Sequence, residues 1–314
     1  MRTLVTGAAG FLGQSMARYM AAVGYPGEVL LTDRVASSVP GGRFASIVAD
    51  LADPSVFPQL VAGVDRVLHL AALPGGAAQA DPAASLRINH DVPVGLLGTL
   101  AERERPARFV HAGSIAVFGA PQPAAIDDAT VPVPTMVYGQ HKLSVEAAIG
   151  RYAQAGTVDG WALRLPGLVA RPGTGEGLKS AFMSTIFSAL RTRRPIQLPV
   201  SSDATLWLLS TEAACAALLL GLTMSSGPGA RAFTLPALRV TVAELVAAIA
   251  RETGSPSALV TYAPDPAIEA QFGRLPPLAT PRAAALGFRH DGTLETLVTR
   301  ALAGLDNPVS TENA

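Results

Sequence analysis

A glycine-rich turn near the start of the chain constrains the fold more than any other feature. The apolar run at residues 3–6 leads directly into Gly7, Gly10 and Gly13, and apolar side chains then recur at helical spacing. Glycines at these positions permit a tight turn, a close backbone approach to a pyrophosphate, and close packing of the helix on the strand. The helix start offers free N–H groups to a phosphate, but an ordinary strand-to-helix turn explains the glycines alone equally well.

The acidic residue after the second apolar run favours the nucleotide interpretation. Asp33 lies 20 residues past Gly13, where dinucleotide-binding folds place the acid that binds the adenosine ribose. A carboxylate at this position would repel the 2′-phosphate of NADP, so Asp33 favours NAD. The neighbouring Arg34 could meet that phosphate, and NADP therefore stays open as an alternative.

Short apolar runs alternate with helical segments through the first half of the chain. They end at Asp33, at Asp50-Leu51 and at residues 70–72, and Asp53-Pro54 is typical of a helix start. Runs of about five apolar residues between helices indicate a parallel sheet that is covered on both faces. We therefore predict an α/β fold, a Rossmann-type doubly wound parallel sheet with a smaller C-terminal substrate-binding domain.

A hydroxyl, a phenol and an amine lie further along the chain. Ser114 ends a predicted strand, and Tyr138 and Lys142 share one face of a helix predicted over 136–155. A nearby cation favours the phenolate, which brings a tyrosine of ordinary pKa about 10 towards the range of a useful base. Ser114 lies at the sheet edge where open α/β folds bind ligands, so its hydroxyl can hold a substrate oxygen. The tyrosine and lysine alone would more often be surface residues of an amphipathic helix.

Together these motifs resemble the extended short-chain dehydrogenase/reductases, the NAD-dependent epimerase/dehydratase family. The resemblance covers residues 1 to about 240. The motifs that carry it are TGAAGFLG at 6–13, Asp33, Asp50-Leu51, HLAA at 69–72, Asn89, SIAVFG at 114–119 and YGQHK at 138–142.

The resemblance implies NAD as the cofactor and gives roles to individual residues. Ser114, Tyr138 and Lys142 match the catalytic triad of the family. Asn89 matches a position that supports the lysine through a polar network, although a buried polar residue that only fixes its helix is equally expected. The residues implied to contact the cofactor are Gly7, Gly10, Phe11, Leu12, Gly13, Asp33, Asp50, Leu51, Leu70, Ala71, Ala72, Asn89, Tyr138, Lys142 and Pro166.

Departures from the family pattern narrow the substrate. Nucleotide-sugar enzymes commonly carry an asparagine where this chain has Gly167, and an arginine and an aspartate around the segment 205–212, which has neither. We therefore do not expect the substrate to carry a nucleotide diphosphate. The stretch ALRLPGLVARPG at 162–173 and the C-terminal segments are similar to the D-erythronate dehydrogenase branch. That branch oxidises the C2 hydroxyl of a four-carbon sugar acid with NAD.

A small acid needs a cation or several donors for its carboxylate and polar groups for its hydroxyls. We expect substrate contacts from Ser114, from Thr135 and from Gln79, which follows the fourth apolar run. Arg171 is the candidate partner of the carboxylate, and a solvent-exposed arginine is the alternative. The proline-rich loop at 119–134 is long enough to be a lid or a cleft wall.

The predicted domain division follows from these motifs. The NAD-binding core covers 1–166 and is rejoined by about 205–236, whereas 167–204 and 237–314 form the substrate-binding domain. The site is expected in the cleft between the two.

Composition and charge argue against several other kinds of partner. Basic and acidic residues number 24 each, so no overall field attracts nucleic acid. The apolar runs fall short of the roughly 18 residues of a membrane-spanning helix, so no membrane partner is expected. Metal-ligand spacing is absent, and Cys215 has no cysteine partner, so we expect neither a metal site nor a disulfide. These features and the lack of a signal-peptide pattern predict a cytoplasmic protein.

Assembly and activity are predicted from the resemblance. It implies a homodimer that pairs through two long helices, near 83–105 and 136–155. The predicted activity is NAD-dependent oxidation of a small sugar acid. A sugar or nucleotide-sugar epimerase or uronate dehydrogenase of the same superfamily is one alternative. A non-catalytic NAD-binding regulator is another, although such proteins usually lose the tyrosine or the lysine.

Overall fold

The computed structural model describes residues 1–172, 180–224, 229 and 231–306. The strands within these residues are β1 (Arg2–Thr6), β2 (Glu28–Asp33), β3 (Phe44–Val48), β4 (Arg66–His69), β5 (Ala107–Ser114), β6 (Val158–Leu165), β7 (Gly167–Val169), β8 (Ile196–Leu198), β9 (Thr205–Ser210), β10 (Ala232–Thr234), β11 (Leu238–Thr241) and β12 (Val260–Tyr262). The α-helices are α1 (Phe11–Ala22), α2 (Phe57–Val61), α3 (Gly75–Ala80), α4 (Pro82–Leu86), α5 (Val92–Ala101), α6 (Val137–Gln154), α7 (Phe182–Arg191), α8 (Thr211–Thr223), α9 (Val242–Thr253), α10 (Pro266–Phe272), α11 (Pro281–Ala285) and α12 (Leu294–Asp306).

The main sheet confirms the predicted Rossmann-type fold. It has seven strands in the order β10-β6-β5-β4-β1-β2-β3, and every neighbouring pair is parallel. The strand order reverses between β1 and β4. Open α/β sheets bind ligands at such a switch point, outside the carboxyl ends of the strands.

Helices cover both faces of this sheet, as the continuous apolar strands require. On one face, α1 and α8 pack together through side chains such as Met16, Met20 and Leu218. On the other face, α2, α5 and α6 enclose a second cluster around Phe109 and Ile149. The site is therefore held by strands that are packed on both sides.

Several helix boundaries follow the predicted chemistry. The Asp53 carboxylate accepts the Ser55 N–H (2.9 Å) and caps the 3₁₀ turn that opens with Pro54. The helix predicted over 83–105 is interrupted, because a π-helical turn at Arg87–Asp91 separates α4 from α5.

A second region is built from smaller sheets. Strands β11, β9 and β7 form a three-stranded sheet, and β12 pairs with β8. Helices α7, α9 and α12 share an apolar core with them. The stretch 205–236, predicted to rejoin the core, is divided between the two regions, because β9 pairs in the small sheet whereas α8 and β10 pack on the large one. The division into two domains itself stays a prediction.

We also searched the described helices for length and apolar character. None of those in residues 1–172, 180–224 and 231–306 is both long and apolar enough to cross a membrane.

Candidate active site

A cavity of 1260 Å³ opens where β1, β4 and β5 end and reaches the second region. It exceeds the roughly 300–1,000 Å³ of a typical small-molecule pocket, so a dinucleotide and a second ligand can share it. The predicted residues that line it are Gly7, Gly10, Phe11, Leu12, Gly13, Asp33, Asp50, Leu51, Leu70, Ala71, Ala72, Gln79, Ser114, Thr135, Tyr138, Lys142, Pro166 and Arg171. Folding thus brings together residues that are spread over the first 171 positions.

The glycine turn is required by the geometry. Gly7 has a φ of +68°, and a Cβ there would lie 2.5 Å from the Ala71 nitrogen. A Cβ on Gly13 would overlap the Gly7 carbonyl oxygen and the Ala8 backbone. The start of α1 therefore packs directly on the turn after β1, an approach that only glycine allows.

The start of α1 forms one end of the cavity and fits a pyrophosphate. Gly10 caps the helix without a side-chain hydrogen bond, so free N–H groups and the positive end of the helix dipole are available to an anion. Asp33 lies beside it at the end of β2 and accepts the Ala9 N–H (3.0 Å) and the Arg34 N–H (2.7 Å). These bonds hold the carboxylate still, and its remaining lone pairs can accept ribose hydroxyls. The residues present fit a bound NAD.

Ser114 and Tyr138 meet because β5 ends beside the start of α6. The Ser114 hydroxyl oxygen accepts the Ala116 N–H (3.1 Å), and the nearby Ser114 side chain lowers the pKa of Tyr138. Gly139 permits this approach, since a Cβ there would overlap the Ala116 carbonyl oxygen. The small residue after the tyrosine is therefore part of the geometry that joins the two hydroxyls.

Lys142 lies one helical turn beyond Tyr138 and is almost completely buried. Its Nζ donates to the Ala112 carbonyl oxygen (2.8 Å) and is 5.5 Å from the centre of the Tyr138 ring. Burial lowers the pKa of Lys142 to about 7, against the charge of Glu146, which raises it. The ammonium is therefore close to losing its proton at neutral pH.

Tyr138 is half-buried, and removal of water around its phenol raises its pKa to about 12. The charge of Arg171 and the hydrogen bond with Ser114 act in the opposite direction. Arg171 is thus a cation near the phenol that the sequence reasoning did not connect with the tyrosine.

The structure places Asn89 behind the cavity wall, and it is not a lining residue. Its amide accepts the Leu73 N–H (2.8 Å) and donates to the Leu73 carbonyl oxygen (2.9 Å) and to the Ser85 hydroxyl (3.0 Å). Asn89 therefore fixes the loop after β4. Lys142 bonds to β5, and its support by Asn89 through a polar network stays a prediction.

The other end of the cavity carries polar side chains from separate segments. Arg171 reaches from this end towards the other, because its guanidinium carbon is 5.6 Å from the centre of the Phe11 ring at the start of α1 and its charge lowers the pKa of Tyr138. Thr135 accepts the Ala120 N–H (3.2 Å) and so steadies the loop at 119–134. Gln79 also faces this space.

Sequence reasoning missed six polar lining residues, namely Arg87, Gln122, Ser180, Ser184, Thr185 and Gln271. The amide oxygen of Gln122 is buried without a hydrogen-bond partner among the described residues, which marks it as a ligand candidate. Gln122 lies in the loop predicted as a cleft wall, so its segment was found but not its side chain. No sequence pattern pointed to Ser184.

Comparison with known proteins decides the family. A model of the NAD-dependent epimerase/dehydratase family matches residues 3–233. The chain belongs to this family. It is therefore an NAD-dependent oxidoreductase acting on CH–OH groups, and NAD is its cofactor. When bound, NAD supplies a hydride acceptor at the cavity.

Curated relatives of this family match almost the whole chain. A D-erythronate dehydrogenase of Cupriavidus necator is 34% identical over 95% of this chain and 97% of its own length. A D-erythronate dehydrogenase of Haemophilus influenzae is 28% identical over 95% of this chain and 98% of its own. Both cover the sheet and the second region together.

A solved structure also matches throughout. It is described as a nucleoside-diphosphate-sugar epimerase from Agrobacterium tumefaciens, and it is 28% identical with a TM-score of 0.89. The match covers 99% of this chain and 96% of that one. The fold of this chain therefore matches that of the solved structure over nearly the whole length of both.

Proposed function

We propose that this protein oxidises the C2 hydroxyl of a small sugar acid such as D-erythronate to the 2-oxo acid. Bound NAD would accept the C2 hydride and Tyr138 would take the hydroxyl proton, so the products would be the 2-oxo acid, NADH and a proton. The observation that carries the proposal is Arg171, a cation in the same cavity as Tyr138.

Arg171 has the properties expected of a carboxylate site. Burial lowers its pKa, and the nearby Tyr138 opposes this shift. Among the described residues, no carboxylate lies within ion-pairing distance of it. Burial of a guanidinium is costly, and a bound carboxylate would offset this cost with paired hydrogen bonds.

Three side chains divide the chemical work. Ser114 has its oxygen engaged by the Ala116 N–H, which leaves its proton for an oxygen of the substrate or of Tyr138. Tyr138 accepts the hydroxyl proton as the general base. Lys142 supports the phenolate by its charge and keeps an N–H free for the nicotinamide ribose.

The neighbourhood of Gly167 favours a small acid over a nucleotide sugar. A Cβ at Gly167 would lie 2.9 Å from the Trp207 carbonyl oxygen and 3.1 Å from the Met183 sulfur. Trp207 is fully buried and donates its indole N–H to the Pro276 carbonyl oxygen (2.7 Å), so it cannot easily retreat. The asparagine typical of nucleotide-sugar enzymes therefore has no room here.

The names of the relatives support two different substrates. Two curated relatives are named D-erythronate dehydrogenases, which agrees with the proposal. The solved structure is named for a nucleoside-diphosphate sugar, which makes epimerisation of such a sugar the second candidate. The solved structure covers slightly more of this chain than the curated relatives do. We give more weight to Gly167 and Arg171, because these residues line the part of the cavity proposed to hold the substrate.

The deciding experiment is a direct assay with both kinds of substrate. The protein is incubated with NAD and either D-erythronate, a longer sugar acid or UDP-glucose, while NADH absorbance is recorded. We expect NADH with the four-carbon acid and none with UDP-glucose. Chromatography would detect epimerisation of UDP-glucose. Epimerisation without any NADH formed from an acid would overturn the proposal. No reaction with any of the three compounds would also overturn it and would favour a non-catalytic regulator.

Assembly and location complete the proposal. We propose that the protein is a cytoplasmic homodimer that pairs through α5 and α6. The chain has a single cysteine, Cys215, and so carries no internal disulfide, as is usual for proteins of a reducing compartment. Light scattering of the purified protein tests the dimer.

A further inference from the structure

Two buried imidazole rings lie directly behind the catalytic lysine. The parallel register pairs His69 of β4 with His111 of β5, so their side chains stand next to each other on the same face of the sheet. Their ring centres are 5.4 Å apart, the ring planes differ by 16°, and neither residue is exposed. Neither ring contributes to the chemistry described above.

One ring reaches Lys142. The Lys142 ammonium donates to the Ala112 carbonyl oxygen (2.8 Å) and approaches the Nε2 of His111 at 3.4 Å. The charged ammonium can only donate, so in that state of Lys142 the Nε2 of His111 is unprotonated and the ring proton lies on Nδ1. Two of the three ammonium N–H groups are then directed at β5, and the third is left for the cavity.

We propose that His111 is a positioning residue for Lys142, which accepts one ammonium N–H and thereby aims the remaining one at the nicotinamide ribose and the Tyr138 phenolate. This inference rests on the proposed catalytic function of Lys142. It assigns to β5 the support that the family resemblance placed on Asn89.

Packing alone does not explain an imidazole at this position. Phe109 lies two residues earlier on the same face and stacks on His69 with a ring-centre distance of 6.0 Å. A phenyl ring at 111 would stack there equally well. His111 instead leaves its Nδ1 buried without a partner among the described residues, which costs free energy. The contact with Lys142 is the interaction that uses the polarity of the ring.

The second ring is held by the turn that binds the cofactor. Thr6 accepts the N–H groups of Leu70 (3.2 Å) and Ala71 (3.4 Å), and its hydroxyl lies 2.8 Å from the Nδ1 of His69. The hydroxyl proton is therefore directed at His69. The stack thus fixes His111 relative to the loop that lines the NAD site.

The charged groups around the pair agree with a neutral acceptor. Glu146, one turn past Lys142, is tied up in a double hydrogen bond with Arg164 (2.9 and 2.7 Å). Burial, and then the charge of Lys142, holds the pKa of His111 well below its usual value. Burial also lowers the pKa of His69 to about 3, so both rings stay neutral at working pH.

Two amide substitutions at one position test the proposal. In general the amide of glutamine reaches the position of Nε2, whereas that of asparagine reaches only the position of Nδ1. His111→Gln therefore keeps an acceptor for Lys142, and His111→Asn removes it. Phe109→Leu serves as the packing control, because it removes a ring from the same stack without touching Lys142.

The readouts are the pH profile of kcat with D-erythronate and NADH affinity by calorimetry. For His111→Asn we expect kcat to fall about tenfold and NADH to bind about threefold more weakly. The rise of kcat with pH should move up by about half a pH unit, because an ammonium without its acceptor loses its proton sooner and supports the phenolate less. His111→Gln should restore most of each value.

The outcomes separate a positioning role from a structural one. Equal behaviour of His111→Gln and His111→Asn, or a Phe109→Leu profile shifted like that of His111→Asn, would overturn the proposal. If the wild type does not oxidise D-erythronate, the proposed substrate fails. The calorimetric comparison of the two amide variants still decides the role of His111, since it needs only NADH.

Discussion

The two ends of the cavity recognise their ligands by different means. The cofactor end uses backbone, because Gly7, Gly13 and the uncapped start of α1 present N–H groups at close range. The substrate end uses side chains from separate segments, with Arg171 after β7 and Gln122 in the loop after β5. A backbone site needs glycines at fixed spacing, whereas a side-chain site can be built from many sequences. The substrate end is therefore the part that can change while the cofactor end stays the same.

The phenol of Tyr138 lies at the junction of the two ends, and its removal should have the largest effect on activity. Tyr138→Phe deletes the proposed general base, and we expect kcat to fall by about 10³-fold. NADH affinity, measured by calorimetry, should stay within about threefold, because the ring and the backbone of α6 remain. A variant that kept its kcat would show that another group takes the proton.

A methyl group in the glycine turn should damage the cofactor end alone. Gly13→Ala places a Cβ against the Gly7 carbonyl oxygen and the Ala8 backbone, so α1 must move away from β1. We expect the KM for NAD to rise by about 30-fold, with less effect on the KM for the acid. Gly150→Ala is the matched control, because the added Cβ meets no atom within 4 Å. This variant should keep the KM for NAD and gain about 1 kcal/mol of stability from the higher helix propensity of alanine.

Loss of the cavity arginine should damage the substrate end more than the cofactor end. Arg171→Met removes the proposed carboxylate partner, and we expect the KM for the acid to rise by about 20-fold through loss of a charge-assisted pair. The rise of kcat with pH should also move to higher pH, because Arg171 lowers the pKa of Tyr138.

The control for this variant is the arginine at the opposite end. Arg34→Met should leave the KM for the acid unchanged. If Arg171→Met instead raised the KM for NAD, the arginine would bind the pyrophosphate, and the division into two ends would need to be redrawn.

The smallest expected effect is a loss of stability at acid pH. It arises from the two buried histidines next to the cofactor end of the cavity. His69 and His111 have lowered pKa values in the folded chain, so below about pH 6.5 the unfolded chain takes up protons that the folded chain refuses. The free energy of unfolding should therefore decrease as the pH is lowered, by at most about 1.4 kcal/mol per pH unit for each ring.

Urea unfolding at pH 7 and pH 5.5 measures this loss. His111→Gln should lose less between the two pH values than the wild type does, because it removes one of the two rings. An identical difference in both proteins would mean that other groups set the acid sensitivity.

The sequence predicted much of the cofactor end because its signals are local. Glycine spacing, a strand end and an acid 20 residues later depend on short-range backbone geometry, and the residues named from them line the cavity. The same reasoning did not find the contact of His111 with Lys142, because His111 becomes a neighbour of the lysine only when α6 packs across β5. It also missed Gln122 and Gln271, since no spacing rule links a loop after β5 to α10.

By itself, the sequence determined the parallel sheet, the glycine turn, the cofactor and the residues Ser114, Tyr138 and Lys142. The sheet and the turn follow from short patterns, because local sterics and hydrogen bonds decide strand ends, turns and helix faces. The cofactor and the three residues follow from the motifs taken together, through the family resemblance. Only the tertiary structure decided that Arg171 reaches the neighbourhood of Tyr138, that Asn89 holds Leu73, and that two imidazoles stack under the lysine. These contacts join segments far apart in sequence, and packing of helices on the sheet is what sets their distances.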